Sequence, residues 1–242
     1  MKILAIDTSA GPASCAVVEE GEILASSVIY TKLTHSQTVL PMVQDLLRNA
    51  GLSWETIEVL AVSAGPGSFT GVRIGVAAVK GMAFSRNLPC AAVSTLAAMA
   101  QNVVDFPFDG VVCGAMDARC QQVYTALFSS AGGNIERMTP DEAISLEELK
   151  NRLISLKKPV LLVGDGAKLC YNTFQEEVSD LWLAPAAIRN QQATGVAAQA
   201  AVMAREGKLC SHDQLQPVYL RLPQAERELR QRQAANIQQT QN

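Results

Sequence analysis

Aromatic residues make up only 5% of this 242-residue chain, and the formal net charge is a small −3 with a pI near 5.5. The stacking platforms and the positive footprint that independent nucleic-acid binding uses are therefore both lacking. If RNA is involved, another subunit is expected to hold it. Histidine occurs twice, as His35 and His212. His35 is followed one helical turn later by Val39, so no pair of imidazoles can converge on a metal ion from local spacing, and no metal is expected. The six cysteines (15, 90, 113, 120, 170 and 210) include no C-x-x-C pair, and most lie in apolar surroundings, which reads as buried, reduced thiols. No apolar run approaches the roughly 20 residues of a spanning helix. The start runs from Lys2 straight into a strand interrupted by Asp7, unlike a signal peptide. The expectation is a cytosolic protein with no membrane association.

What the chain does have is 48% hydrophobic content, enough for one large or two small cores. Ile3 to Asp7 reads as a strand ending in an acid, followed by strands near Ser14–Glu19 and Glu22–Tyr30, a helix over Gln37–Ala50 stopped by Gly51, a strand over Val59–Ala64, and a glycine turn into another helix. Near the middle the pattern begins again: Val111 to Asp117 is a strand ending in an acid, Gln121 to Phe128 its hairpin partner, Leu146 to Leu156 a helix, and Val160 to Gly166 the later strand and turn. A βββαβα order twice over implies a duplicated α/β fold, the second copy degenerate. The expected lobes are 1–105 and 106–222, joined where Asp-Phe-Pro-Phe-Asp breaks the helical pattern before Asp109. Ala193 to Glu206 reads as an Ala-rich helix able to cross back onto the first lobe. The Gln/Arg-rich stretch 223–242 is expected to be disordered.

The most informative stretch is Val59 to Gly81. Its strand is apolar throughout, as in a sheet covered on both faces. Gly65, Gly67, Ser68 and Thr70 form the turn into the helix, Thr70 is placed as its cap, and the backbone N–H groups there could receive an anion or a partner's carboxylate. No Gly-Lys-Ser/Thr follows, so the turn is not a Walker loop. On a helical wheel the apolar residues surround almost the whole helix, leaving Arg73 and Lys80 on a narrow polar edge. The Gln37–Ala50 helix is also apolar over more than one core-facing stripe. On its pattern alone the Val59–Gly81 helix reads equally as a fully buried crossover helix; two over-apolar helices from one half of the chain suggest a helix-on-helix interface with a second protein. Its apolar centre is expected at Val39, Val43, Leu46, Leu47, Val76 and Val79, with Arg73 and Lys80 as the rim and Gly71 and Gly75 allowing close approach.

Ile6-Asp7-Thr8-Ser9, the run from Ser63 to Gly75, and Met116-Asp117-Ala118-Arg119 together resemble the TsaB family, once called YeaZ, of the actin/hexokinase/Hsp70-like superfamily. The resemblance covers roughly residues 1 to 222. It implies actin-like, ribonuclease H-like lobes. It also implies a non-catalytic subunit that acts with TsaD and TsaE to transfer a threonylcarbamoyl group to N6 of the adenosine beside the anticodon of tRNAs reading codons that begin with adenine. In such a family the chemistry belongs to TsaD, the two helices pair with a second copy or with TsaD, and tRNA is met through the complex. Superfamily kinases wrap two acid-ended loops around a nucleotide. Asp7, Thr8, Ser9 and Asp117 would be the vestige of that site, since Asp117 is followed by Ala118 and Arg119 rather than glycine, and Gly164-Asp165-Gly166 is a weak substitute for an adenosine loop. Asp7 and Asp117 read more simply as strand-end residues that fix hairpin geometry. No cofactor is expected within the chain, and a nucleotide only at the boundary of the complex. The alternative is a small-molecule phosphotransferase or ATPase with Asp7 or Asp117 as its base.

Overall fold

The computed structural model describes residues 1–30 and 33–221. The expected disordered tail lies outside these described residues. Two mixed sheets carry the architecture. In the first, β1 (Lys2–Asp7), β2 (Ala13–Glu19) and β3 (Glu22–Ile29) form an antiparallel meander; α1 (His35–Asn49) leads through a short 3₁₀ turn to β4 (Val59–Gly65), α2 (Phe69–Phe84), β5 (Cys90–Ser94) and α3 (Thr95–Gln101). The strand order is β3-β2-β1-β4-β5, with β4 parallel to both β1 and β5.

The second sheet is built from β6 (Gly110–Asp117), β7 (Gln122–Ala131), β8 (Asn134–Arg137), β9 (Glu142–Ser145), β10 (Val160–Val163) and β11 (Leu181–Leu183). Between and after its strands come α4 (Leu146–Leu156), α5 (Ala167–Phe174), α6 (Ala186–Arg189) and α7 (Ala193–Arg205). Its order, β11-β10-β6-β7-β8, repeats the first sheet's path strand for strand. The copy departs in its third strand, which is short, and in the added β9 paired to β7. The duplicated, partly degenerate α/β fold is thus what the chain adopts.

Alternation along the first sheet sorts its side chains into two cores. Leu4, Ile6, Leu60 and Val62 point to the side covered by α1 and α2. Ile3, Ala5, Val59 and Ala61 point to the other, where α7 lies with Ala193, Val196, Ala197 and Ala200. The late Ala-rich helix therefore does cross back onto the first sheet. Its small residues let it sit close, and at Gly195 an added Cβ would fall 2.1 Å from Ala98 O. On the opposite side, α2 sets Val72, Val76, Val79 and Ala83 into the core. Each buried valine is worth about 1.5–3 kcal/mol over an exposed one, so that stripe fixes which side of α2 faces inward. Among the described residues no helix is long and apolar enough to cross a membrane.

Candidate functional site

The turn after β1 is a packed junction. Asp7 is 1% exposed and accepts hydrogen bonds from Ser63 Oγ (2.5 Å), Ser9 N (2.8 Å) and Ser9 Oγ (2.7 Å). Burial pushes its carboxyl above the ordinary carboxylate range, while the Ser63 and Ser9 donors pull it down. Thr8 Oγ1 donates to Gly71 O at 2.7 Å, and Ala10 O lies 2.9 Å from His35 Nε2. The first acid loop thus clamps the starts of both α1 and α2.

At the head of α2 the cap is Ser68, whose Oγ accepts from Gly71 N at 3.2 Å. Thr70, expected there, is the second helical residue and is exposed, because the helix begins at Phe69, earlier than the glycine run suggested. An added Cβ on Gly71 would fall 2.0 Å from Thr8 O, and one on Gly75 would fall 2.5 Å from Thr8 Oγ1. The close approach these glycines permit is therefore to the chain's own β1 turn, not to a second helix.

Between the sheets lies a cleft of about 650 Å³, lined from one side by Ser9, Ser68 and Thr70 and from the other by Asp117, Arg119, Tyr124 and Asp165. Of the expected phosphate-loop residues, Ser9 and Asp117 line it; Asp7 and Thr8 lie buried beneath it. Gly67 also lines it, on the β4–α2 turn, and Gly65 is buried in the same turn. Asp117 is exposed and accepts from Arg119 N at 2.7 Å, forming the same two-residue turn that Asp7 makes with Ser9. Asp165, in the Gly164–Gly166 turn weighed as a weak adenosine loop, is pushed up by burial and pulled down by a 2.9 Å bond from Gln191 Nε2.

One wall of the cleft is a segment that sequence reasoning missed. Residues 208–221 run as a strap along the first lobe after α7. Leu215 is fully buried in the first core. Val218 N donates to Ala64 O at 2.7 Å, and its carbonyl sits where a Cβ on Gly65, at φ +121°, would come within 2.3 Å. The Tyr219 ring stacks on Phe69 with centroids 4.6 Å apart, and Arg73 Nε donates to Tyr219 Oη at 2.7 Å. Arg221 reaches the second lobe, donating to Ala118 O at 2.7 Å. Within the turn Ser68 N donates to Ser9 O (2.7 Å), which ties the head of α2 to the loop after β1.

The expected partner surface needs correction. Val39, Val43, Leu46, Val76 and Val79 are all buried in the chain's own core against the first sheet, and Leu47 is half-buried beside them. Arg73 and Lys80 are engaged by the strap, Lys80 Nζ donating to Asp213 O at 3.4 Å. The physical reason is that a wheel shows how much of a helix is apolar but not which side the sheet covers; here the bulkiest stripe turned inward. Besides Thr70 and Arg73, what α2 leaves to solvent is Ala77, Gly81 and Phe84, the last 74% exposed, and a Cβ on Gly81 would meet nothing within 4 Å. On α1 Leu40 is exposed. Among the described residues no group of three or more His, Cys, Asp or Glu could hold a metal ion.

Comparison with known proteins gives a consistent picture. The family model described as TsaD, tRNA N6-adenosine threonylcarbamoyltransferase, matches residues 22–229. The tRNA threonylcarbamoyladenosine biosynthesis protein TsaB of Bacillus subtilis is 34% identical, over 93% of this chain and 96% of its own. The protein of the same name from Escherichia coli is 36% identical, over 91% and 95%. The solved structure of YeaZ from Pseudomonas aeruginosa matches with a TM-score of 0.77 at 29% identity, covering 90% of this chain and 99% of that one.

Proposed function

The chain belongs to the TsaB (YeaZ) family of tRNA threonylcarbamoyladenosine biosynthesis proteins, and from that premise we propose that it serves the modification as a non-catalytic subunit in the cytosol. In this reading it docks a TsaD-like catalytic relative through the solvent side of α2, pairs with a second copy through the same side when that relative is absent, and receives a TsaE-like ATPase and tRNA only within the complex. The catalytic relative then transfers the threonylcarbamoyl group to the adenosine beside the anticodon.

The observation that carries this reading is the bare strip Ala77, Gly81 and Phe84, one helical turn apart on a helix with no acidic residue and with both cations bonded to the strap. A glycine with open space above it lets a second helix approach closely, and a largely exposed phenylalanine beside it supplies an anchor. The reading as a phosphotransferase or ATPase loses Asp7 as its base, because that carboxylate is enclosed by three donors and cannot reach the cleft; Asp117, which lines the cleft, is its remaining candidate. A nucleotide is placed at the boundary with the catalytic relative, where the partner would supply the missing donors.

Gly81→Glu tests the docking surface. Affinity for the catalytic relative, measured by titration calorimetry, is expected to fall more than about 100-fold, nearly 3 kcal/mol, with the thermal melt of the isolated chain preserved. Unchanged affinity would overturn the assignment of this face. Titration of the isolated chain with ATP is expected to give no saturable binding and no hydrolysis; turnover by the chain alone would reinstate the enzyme.

A further inference from the structure

Cys90 opens β5 at the edge of the first sheet, and Cys210 stands at the root of the strap. The two residues face each other in an isolated antiparallel bridge. Cys90 N donates to Cys210 O and Cys210 N to Cys90 O, both at 2.8 Å. Such a doubly bonded pair holds its α-carbons about 5.5 Å apart, inside the roughly 4.4–6.8 Å that a disulfide spans. Directly opposed residues project their side chains to the same face, and here both pack on the same apolar cluster, with Cys210 Sγ 3.4 Å from Cys90 O. Both are free thiols, Cys90 buried and Cys210 partly accessible.

We propose that Cys90 and Cys210 are a reversible redox pair that closes to a disulfide on exposure to a hydroperoxide and rivets the root of the strap to β5. The accessible Cys210 thiolate attacks the peroxide; an S–O bond forms, the O–O bond breaks, and the leaving oxygen departs as water or alcohol after taking up the thiol proton. Cys90 then attacks the Cys210 sulfenic sulfur; the S–S bond forms, the S–O bond breaks, and the departing hydroxide takes the Cys90 proton as water. Two thiols give up two electrons, and one peroxide accepts them. Burial raises the Cys210 thiol and pushes that of Cys90 up to about 11, so the closure is slow and answers sustained oxidant rather than a passing trace. The other thiols have no such opposed partner. Cys15, Cys113 and Cys170 are buried, and Cys120 is exposed.

The consequence lies along the strap. Its root carries Cys210, its middle the buried Leu215, and its end the contacts to Ala64, Arg73 and Ala118 that wall the cleft. A link between positions 120 residues apart removes much of the freedom of the opened chain, so the strap has less reason to leave α2 and the cleft.

The experiment uses the full chain carrying Cys120→Ser, to exclude intermolecular links, treated with hydrogen peroxide while folded, alkylated under denaturing conditions and peptide-mapped. The expected product is the Cys90 peptide joined to the Cys210 peptide, two hydrogens lighter and released by dithiothreitol, together with a melting temperature raised by several degrees that returns on reduction. Adding Cys210→Ser abolishes both the link and the shift. Recovery of Cys90 and Cys210 as alkylated thiols after treatment, or a link that forms only once the chain is unfolded, overturns the proposal.

Discussion

α2 of the first lobe and α4 of the second each bury one apolar stripe against their own sheet, Val72, Val76 and Val79 in one case and Leu146, Leu149 and Leu153 in the other. Their outer sides differ. α4 meets water with Glu147, Glu148, Asn151, Ile154 and Ser155 and the partly buried Lys150 and Arg152, and its charges are tied together: Lys150 to Glu147 (3.0 Å) and Glu177 (2.9 Å), Arg152 to Glu142 (3.1 Å) and Glu148 (3.3 Å). α2 meets it with Ala77, Gly81 and Phe84, while its two cations are turned to the strap. In the repeated order α4 is the counterpart of α1 and α5 that of α2, so these are two sheet-packed helices at different places in their lobes, one finished mainly by paired charges and one left with an apolar strip that wants a neighbour. The outer residues of each helix can be changed one at a time, so the contrast can be attacked with single substitutions.

The largest effect is expected from inverting inside and outside on α2. Val76→Glu places a carboxylate at a site 4% exposed, among apolar side chains with no cation to receive it. The isolated chain should lose about 4–5 kcal/mol or fail to fold, read as a collapsed urea midpoint. Leu153→Glu should do the same in the second lobe. One position along, Ala77→Glu should leave the midpoint within about 0.5 kcal/mol and remove binding to the catalytic relative. Glu148→Ala on α4 should change neither. Equal binding by Ala77→Glu and wild type would erase the contrast between the lobes.

Next in size is the joint between the first acid loop and α2. Gly71→Ala forces a methyl to within 2.0 Å of the Thr8 carbonyl, and backbone cannot yield cheaply, so about 2–3 kcal/mol should be lost. Gly81→Ala on the same helix meets open space and should stabilise by about 0.5–1 kcal/mol. A comparable loss at both glycines would mean that helix propensity, not the close contact, dominates.

A pH effect follows from the buried acid that ends β1. Asp7 is raised above its ordinary value of 3.8 by burial, so the native state holds its proton more tightly than the unfolded chain. Its favourable contribution is complete below 3.8 and is lost as pH rises through the folded value. Asp165, raised for the same reason, has the same sign. Asp7→Asn should therefore flatten the decline of stability between that acid limit and neutrality, measured as urea midpoints across the range. A steeper decline in the variant would contradict the burial argument.

Much of this was legible in the chain. α4 and β10 begin and end where the sequence pattern placed them or within a few residues of it, and the Ala-rich α7 packs where a small-residue helix can. Short apolar runs bounded by glycine and acid signal covered strands because both faces of the sheet must be closed. The site was less legible for three physical reasons. Periodicity does not say which side of an all-round apolar helix meets the sheet, so Val76 and Val79 were assigned outward when they face inward. Capping depends on which residue adopts the extended backbone before the first turn, and Ser68 and Thr70 both have the required hydroxyl. The strap has no period, and what holds Val218 and Tyr219 is contact with β4 and α2, far away along the chain.

The smallest effect tests the complete surface of the second lobe. Arg152 bonds both oxygens of Glu142, Nη1 to Oε1 at 3.2 Å and Nη2 to Oε2 at 3.1 Å, and Nη2 also reaches Glu148 at 3.3 Å. The forked pair joins β9 to α4, and with Arg152 and Glu142 each a little over a quarter exposed the attraction is screened but not lost. Arg152→Ala is expected to cost about 0.5–1 kcal/mol, and Arg152→Lys to restore less than half of it because an ammonium cannot engage both oxygens at once. In roughly 1 M salt, where the Debye length falls to about 3 Å, the loss should shrink toward the packing contribution of the side-chain stem. On α2 the Lys80 bond to Asp213 is a single 3.4 Å contact to a carbonyl, so Lys80→Ala should cost less than Arg152→Ala at low salt. Were the order reversed, charge would be holding the strap rather than finishing α4, and the exposed side of α2 would have to be explained by the strap's own motion.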